Sequence, residues 1–512
     1  MRVDINLLKD RIAANPGSSL VFYDVADGRT ALSFSDLGAK IDERRVLLRR
    51  LGISERRRVG LHGANSLDWM IWDLALLVEG HAPVVFSEDH FTQDPAELAV
   101  KYDCALVVSD LASGDGVIPM DLDLDDCAAV SVRDATPVAE PDLLTMVFSS
   151  GTTGRLKGLS MSKSGLDHIL TQFTDAFDVT ENDCFFSFLP FSYFQQRALY
   201  LSAFFAGADI VICPPQSALK VMAAEQPTFT VNPPVFYEML FNFKRSLAMA
   251  GKPKSLNEIT GGRISWMITA MAPIKRSVLD AFWSDGVRLF ETFGVTETGM
   301  VAWNTPAAYK VGTVGKPADD GEFIVSDAGE VSIRREKPLA LGYFDTASED
   351  VKATFRPDGS VATGDIVDVD ADGFVTIVGR TKSAIVTPEG KKFHPEILEK
   401  RLLEAADAQG ICDIDLVVVG GVELGGNFII VAPANDAAMA AFCSDALAPR
   451  VIATIRTVNA DGQPYTRIQK AFFIEEPFSF ENRMRTRNLK LDRAVATQRA
   501  GQLNNEGSGH VV

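Results

Sequence analysis

Residues 148–158 read FSSGTTGRLKG, with four hydroxyl side chains, three glycines, one arginine and one lysine in eleven positions. The stretch follows a strand-like segment, LLTMVF, and precedes another, GLSMS. A glycine-rich loop at a strand end can turn successive backbone N–H groups toward one point and form an anion nest, with hydroxyls as further donors. The chemistry such a loop offers is the holding of an anion. It is not the P-loop of nucleotide hydrolases, which requires Gly-Lys followed by Ser or Thr. Here Lys157 precedes Gly158, and no Gly-Lys pair in the chain is followed by Ser or Thr. The nucleophile elbow G-x-S-x-G is also absent. A surface loop without function would have the same composition, so the stretch alone does not decide what it holds.

Six further stretches do. ITAMAPIKRSVLDAF (268–282), FETFGVTETG (290–299), TGD (363–365), GRTKSAIVTPEGKKFHPEILE (379–399) and TRNLKLDR (486–493) follow the loop in that order, and LPFSYFQQR (189–197) lies between. Together they resemble the motifs of the adenylate-forming (ANL) superfamily, which comprises acyl-CoA synthetases, nonribosomal adenylation domains and luciferases. The resemblance implies ATP-dependent activation of a carboxylic acid as an acyl-adenylate, with release of pyrophosphate, and then acyl transfer with release of AMP. It places the outer phosphates of ATP on Ser149, Ser150, Gly151, Thr152, Thr153, Gly154 and Lys157. The adenine side falls to Ala270, Met271, Ala272, Phe293 and Gly294, and the ribose to Asp365 and Arg380. Glu297 would hold Mg²⁺, a hard cation that takes carboxylate and phosphate oxygens. Thr296 would reach the α-phosphate. Lys490 would bridge the attacking carboxylate and the α-phosphate and offset the repulsion between two anions.

The resemblance also implies a C-terminal domain that rotates about a hinge at Lys382 and brings Gly390 to the acceptor tunnel. The acyl pocket would draw on Tyr193, Phe194, Asn232, Pro233, Trp266 and Val295, with Ala270, Met271 and Ala272. These are mostly apolar, and SYFQQ carries no carboxylate to meet an amino acid's ammonium group. The expected acid is therefore apolar: aliphatic, cyclic or aromatic. Tyr193 stands where many relatives carry histidine, and as an aromatic it could still gate between the half-reactions. Ser383 stands where most carry aspartate. Both departures bear on the acceptor. Coenzyme A is the default; an amino acid amine, as in coronafacate ligase-type enzymes, or an acyl carrier protein are the alternatives. A non-catalytic nucleotide-binding relative is disfavoured by the joint presence of Glu297, Asp365, Arg380 and Lys490.

These residues need elements to position them. Residues 33–52 have Ser33 as a cap, Leu37, Ile41, Leu48 and Leu51 on one face, and Gly52 as a stop. The strand RRVGLHG, a helix through Trp72 and the run APVVF follow. The alternation recurs at ALVVSD, ADIVIC and FTVNP, which implies a largely parallel sheet covered by helices. From about 310, short strands between glycine turns predict a small antiparallel, β-barrel-like region. Within it DVDADG (368–373) opens like a calcium loop, but its twelfth position is Gly379 rather than glutamate, so a hairpin turn is expected. The fold class is α/β, with an N-terminal core over 1–381, a mobile α+β domain over 382–500 and a disordered tail over 501–512.

Composition bounds the rest. Hydrophobic residues make up 46% of 512, enough for a large core, and the net charge of −18 without a basic block disfavours nucleic acid as a partner. Six scattered cysteines without a CxxC point to a reducing compartment rather than a disulfide framework. The charged N-terminus is unlike a signal peptide. The most apolar stretch, near Trp72, is interrupted by Asp73 and Glu79 and falls short of a membrane span. A cytoplasmic protein, monomer or homodimer, is expected.

Overall fold

The computed structural model describes residues 2–26, 28–111, 114–123, 130–150, 156–319, 322–344, 349–411, 413–444, 446–485 and 491–512. The chain divides into two compact units. The first comprises Met1–Met271, Ala281–Ile324 and Ser332–Thr363; the second comprises Ala272–Asp280, Val325–Val331 and Gly364–Val512. The main division thus falls at 363/364, ahead of the boundary at 381/382 expected from the sequence.

The first unit holds a nine-stranded and a seven-stranded sheet. In the seven-stranded sheet, Arg58–His62, Ala82–Val85, Cys104–Ser109 and Leu143–Ser150 run parallel, joined by helices such as Leu67–Glu79. Ala82–Val85 and Cys104–Ser109 are buried on both faces, as parallel strands under helices must be. Leu156–Ser162 then returns antiparallel beside Leu143–Ser150, and Ala340–Tyr343 adds to its outer edge. In the nine-stranded sheet, Cys184–Ser187, Asp209–Ile212, Phe229–Asn232, Trp266–Thr269 and Arg288–Val295 are parallel. Antiparallel Gly299–Trp303 follows the last of these. The helix Phe34–Arg50 begins at a capping box between Ser33 and Asp36 and ends before Gly52 at φ +78°, as its pattern predicts.

The second unit has the paired part of the hairpin between strands Val361–Val369 and Val375–Arg380, from Asp365↔Arg380 to Val369↔Val375. Its turn carries DADG: the Asp370 carboxylate accepts from the N–H groups of Asp372 and Phe374, and Gly373 sits at φ +82°. Beyond it, strands Ile414–Gly421, Gly426–Pro433, Lys470–Phe473 and His510–Val511 form one sheet, with helices Pro395–Ala408, Leu447–Ala460 and Arg493–Asn505 packed around it. The tail is therefore not disordered as expected. Arg493–Asn505 buries Ala496 and Ala500, and His510 and Val511 pair with Ala471 and Lys470. A polar tail gains order here because an open strand edge supplies the hydrogen bonds its sequence cannot provide. Among the described residues, no helix is long and apolar enough to cross a membrane.

Candidate active site

The loop that opened the sequence reading grows out of a rigid base. Strand Leu143–Ser150 carries Phe148 into an aromatic box, with ring centroids 4.3 Å from His90, 5.0 Å from Tyr102 and 5.7 Å from a stacked Phe86. The return strand is in register, Phe148↔Gly158 and Ser149↔Lys157. Gly151, Thr152, Thr153 and Gly154 lie outside the described residues.

The outer edge of this sheet brings in a residue that the sequence reading missed. Tyr343 pairs with Leu159, and the Phe344 N–H donates to the Gly158 carbonyl at 2.7 Å. Lys157 and Leu159 share a face, so Tyr343 and Lys157 are diagonal neighbours. The Lys157 ammonium lies 5.4 Å from the Tyr343 ring centroid. The Tyr343 hydroxyl donates to Glu297 Oε1 at 2.6 Å.

Glu297 stands on the turn between Arg288–Val295 and Gly299–Trp303. The Thr298 N–H donates to the Val295 carbonyl at 3.1 Å, and the Thr298 hydroxyl donates to the Gly299 carbonyl at 3.1 Å. Gly294 is obligatory: a Cβ there would lie 2.0 Å from the Gly299 carbonyl oxygen. The buried Arg335 donates to the Thr298 carbonyl at 2.6 Å and, through Nε, to Glu322, which also contacts His168 Nε2 at 2.9 Å. Burial opposes ionisation of Glu322, but the hydrogen bonds from His168 and Arg335 prevail and hold its carboxyl below the usual range. Thr296 is exposed, Glu297 and Val295 are half-buried, and Phe293 is buried. Sequence reading reached this turn through its motif. It could not reach Tyr343, Arg335 or Glu322, which carry no signal until the strands are paired.

The LPFSYF segment is fixed by Asn65, whose amide donates to the Leu189 carbonyl and accepts from the Phe191 N–H, both at 2.8 Å. Tyr193 precedes the helix Phe194–Ala206. Burial, then the nearby Glu88 and Asp89 charges, push its phenol up to about 12, so it is a neutral donor. Phe194 is buried in the main core. Asn232 and Thr269 are register neighbours at the carboxyl ends of their strands, and both are buried. Pro233 is half-buried, and Phe236, the third residue of the helix Pro234–Met249, packs 4.8 Å from Phe188. After Thr269, Ala270 is buried, Met271 takes φ +79° and Ala272 is exposed.

Trp266 is a correction. It starts the strand that Thr269 ends, roughly 10 Å away at the usual rise per residue. Its ring stacks 4.5 Å from Phe229 and lies 4.6 Å from Phe177. The period of two puts Trp266 on the core face with Ile268, and Thr269 on the other, so Trp266 is a core residue rather than part of the acyl pocket.

In the second unit, Arg380 Nε donates to Asp365 Oδ1 at 3.0 Å, with Asp365 buried and Arg380 half-exposed. Lys382 is exposed in the short 3-10 helix Thr381–Ser383. Gly390 is exposed at φ +76° in the turn between Ile385–Val386 and Lys392–Phe393, a conformation that favours glycine. Lys490 lies outside the described residues. On either side of it, Arg485 pairs with Leu491, and Arg493 makes a two-pronged contact at 2.7 Å with the buried Glu399.

The first unit thus brings the Glu297 carboxylate, the Tyr343 hydroxyl and the Lys157 ammonium together next to the strand that follows the glycine-rich loop, and the second unit by itself holds the Asp365–Arg380 pair. The model of the AMP-binding enzyme family matches residues 8–343, and the chain belongs to that family; it is an AMP-forming acid ligase. It is 26% identical over 423 residues to the long-chain-fatty-acid–CoA ligase FadD15 of Mycobacterium bovis, covering 69% of this chain and 70% of that one. It is 24% identical over 506 residues to the 3-[(3aS,4S,7aS)-7a-methyl-1,5-dioxo-octahydro-1H-inden-4-yl]propanoyl:CoA ligase of Rhodococcus jostii, covering 88% and 95%. Its fold is that of ATP-bound MatB from Rhodopseudomonas palustris, with a TM-score of 0.76 at 20% identity over 98% of this chain and 100% of that one.

Proposed function

We propose that this protein is an acyl-CoA ligase acting on an apolar carboxylic acid. The observation that carries the reading is the meeting of Lys157, Tyr343 and Glu297 beside the glycine-rich loop. The donor set fits Mg²⁺–ATP. Among the described residues no group of three or more His, Cys, Asp or Glu side chains could hold a metal. That suits Mg²⁺, which is commonly held by one or two carboxylates plus substrate phosphates rather than by a protein cage. Glu297 presents that carboxylate.

Bound Mg²⁺–ATP supplies an electrophilic α-phosphorus and a pyrophosphate leaving group. The loop over Ser149–Gly158 cradles the outer phosphates, and Lys157 adds a positive charge beside them. Thr296, exposed on the Glu297 turn, offers its hydroxyl to the α-phosphate. Asp365 accepts from the ribose hydroxyls, and Arg380, which orients Asp365, adds a planar donor. Lys490 bridges the acid and the α-phosphate. The acid oxygen bonds to the α-phosphorus as the bond to pyrophosphate breaks. In the second half the coenzyme A sulfur, having lost its proton, bonds to the acyl carbon, and AMP leaves with the electron pair. Rotation at Lys382 brings Gly390 to the acceptor, and Tyr193 gates between the halves.

Support for an apolar acid comes from Phe188, Phe236, Pro233 and Val295 near the carboxyl ends of the strands, and from two relatives named for acids with large hydrocarbon parts. The test incubates the protein with ATP, Mg²⁺ and a panel of acids, adding coenzyme A to one arm and mixed amino acids to the other, with products read by mass. A thioester is expected. An amide formed without coenzyme A would replace the acceptor assignment, and no AMP from any acid would refute the ligase reading.

A further inference from the structure

We propose that Tyr343 is a positioning residue for Glu297, and that its hydroxyl sets how strongly Mg²⁺ strengthens nucleotide binding. The inference rests on the reading of Glu297 as the metal-side carboxylate. A half-buried glutamate on a turn has three side-chain torsions to fix, and ordering them costs conformational entropy. The turn backbone is fixed by Gly294, Thr298 and Arg335, and among the described residues the Glu297 side chain is met by Tyr343. The 2.6 Å O–H···O contact is in the short range of hydrogen bonds to an ionised carboxylate. It occupies Oε1 and thereby aims the other oxygen.

The tyrosine is itself held on several sides. Its backbone pairs with Leu159, its ring meets Phe355 edge-on at 5.3 Å, and the Lys157 ammonium lies 5.4 Å from the ring centroid. Its ring is buried, so the hydroxyl has little room to move. One ring therefore joins the strand leaving the phosphate loop to the turn bearing the carboxylate. A neutral donor also suits the task better than a second cation. It orders the carboxylate without cancelling the charge that must attract Mg²⁺.

The experiment measures equilibrium ATP binding by calorimetry, with Mg²⁺ and with EDTA, for the wild type, Tyr343→Phe, Glu297→Gln and the double variant. Tyr343→Phe keeps the ring and removes only the hydroxyl. Its Mg²⁺-dependent gain in ATP affinity should fall roughly three- to tenfold, the size of one net hydrogen bond. Affinity in EDTA should stay at the wild-type value, which also certifies the fold. The double variant should bind no worse than Glu297→Gln alone. Losses that add, or an equal loss in EDTA, would overturn the proposal. If Glu297→Gln loses the Mg²⁺ gain while Tyr343→Phe keeps it, the Tyr343 proposal alone is wrong. If Glu297→Gln keeps the full gain, the metal-side reading of Glu297 is wrong and the proposal goes with it.

Discussion

Asp73→Asn should destabilise the first unit more than most single substitutions. Asp73 and Arg197 side chains are 0% and 1% exposed. Arg197 donates through Nε to Asp73 Oδ2 at 3.1 Å and through Nη2 to Oδ1 at 2.5 Å. Its Nη1 donates to Thr145 Oγ1 at 3.0 Å, and the Tyr200 hydroxyl donates to Asp73 Oδ2. Burial and the Asp73 charge hold the Tyr200 phenol well above its ordinary value, so it stays a donor. The network ties the helices Leu67–Glu79 and Phe194–Ala206 to the strand that carries the phosphate loop. Asparagine would leave a guanidinium, which cannot deprotonate, buried without a counter-charge. Two unit charges about 4 Å apart at an effective dielectric of ~20 interact by about 4 kcal/mol. Removing one partner of a buried pair costs about 3–5 kcal/mol, in agreement. All five tryptophans lie in the first unit, so their fluorescence reports its unfolding selectively. With a urea dependence of about 3 kcal/mol per molar, the midpoint should fall by about 1 M or more. Replacing the whole network, as Asp73→Leu/Arg197→Met/Tyr200→Phe, should recover most of the loss because no charge is left unpaired. A midpoint for Asp73→Asn within ~0.3 M of wild type, against the cost expected for a broken buried pair, would refute the reasoning. So would a triple variant less stable than Asp73→Asn.

Gly294→Ala places a Cβ 2.0 Å from the Gly299 carbonyl oxygen, so the Glu297 turn must open. Overpacking of this kind costs about 1–3 kcal/mol, and acid-dependent pyrophosphate release should drop while the urea midpoint falls with it. Lys490→Ala should lower pyrophosphate release by about a hundredfold or more, as loss of one charge-stabilising group does, yet spare acyl transfer from a preformed adenylate. Pyrophosphate release near the wild-type rate would remove Lys490 from the site. Stability should also fall on acidification. Burial, the leading cause at both sites, lowers His81 and His90 to about 4 from 6.5. The unfolded chain therefore binds more protons between those values. The stability these neutral rings contribute is present above pH 6.5 and is lost as pH falls toward 4. Urea midpoints measured across that window should decline, and less steeply in His90→Gln than in the wild type.

What the sequence could reveal depended on whether a residue's partners lie nearby along the chain. Ser33 caps the helix that begins at the next residue, and DVDADG turns a hairpin within six residues, so both were legible as local chemistry. Gly294 and Glu297 are reached through the family resemblance of FETFGVTETG, which is likewise one contiguous stretch. Trp266 was misread because the one-residue alternation of a buried strand sends neighbours to opposite faces, and an apolar run does not show which face meets the substrate. The C-terminal residues were misread because their order comes from the edge of a strand 40 residues away. Tyr343 is the furthest case. Its neighbours are Lys157, 186 positions earlier, and Glu297, 46 positions earlier. Only the pairing of Ala340–Tyr343 with Leu156–Ser162 brings them together. The groups proposed to meet the nucleotide are thus visible as motifs, while Tyr343, proposed to position one of them, is not. A motif records what must touch the nucleotide. The residues that fix its geometry are chosen by packing, so several side chains could serve and no fixed spacing marks them.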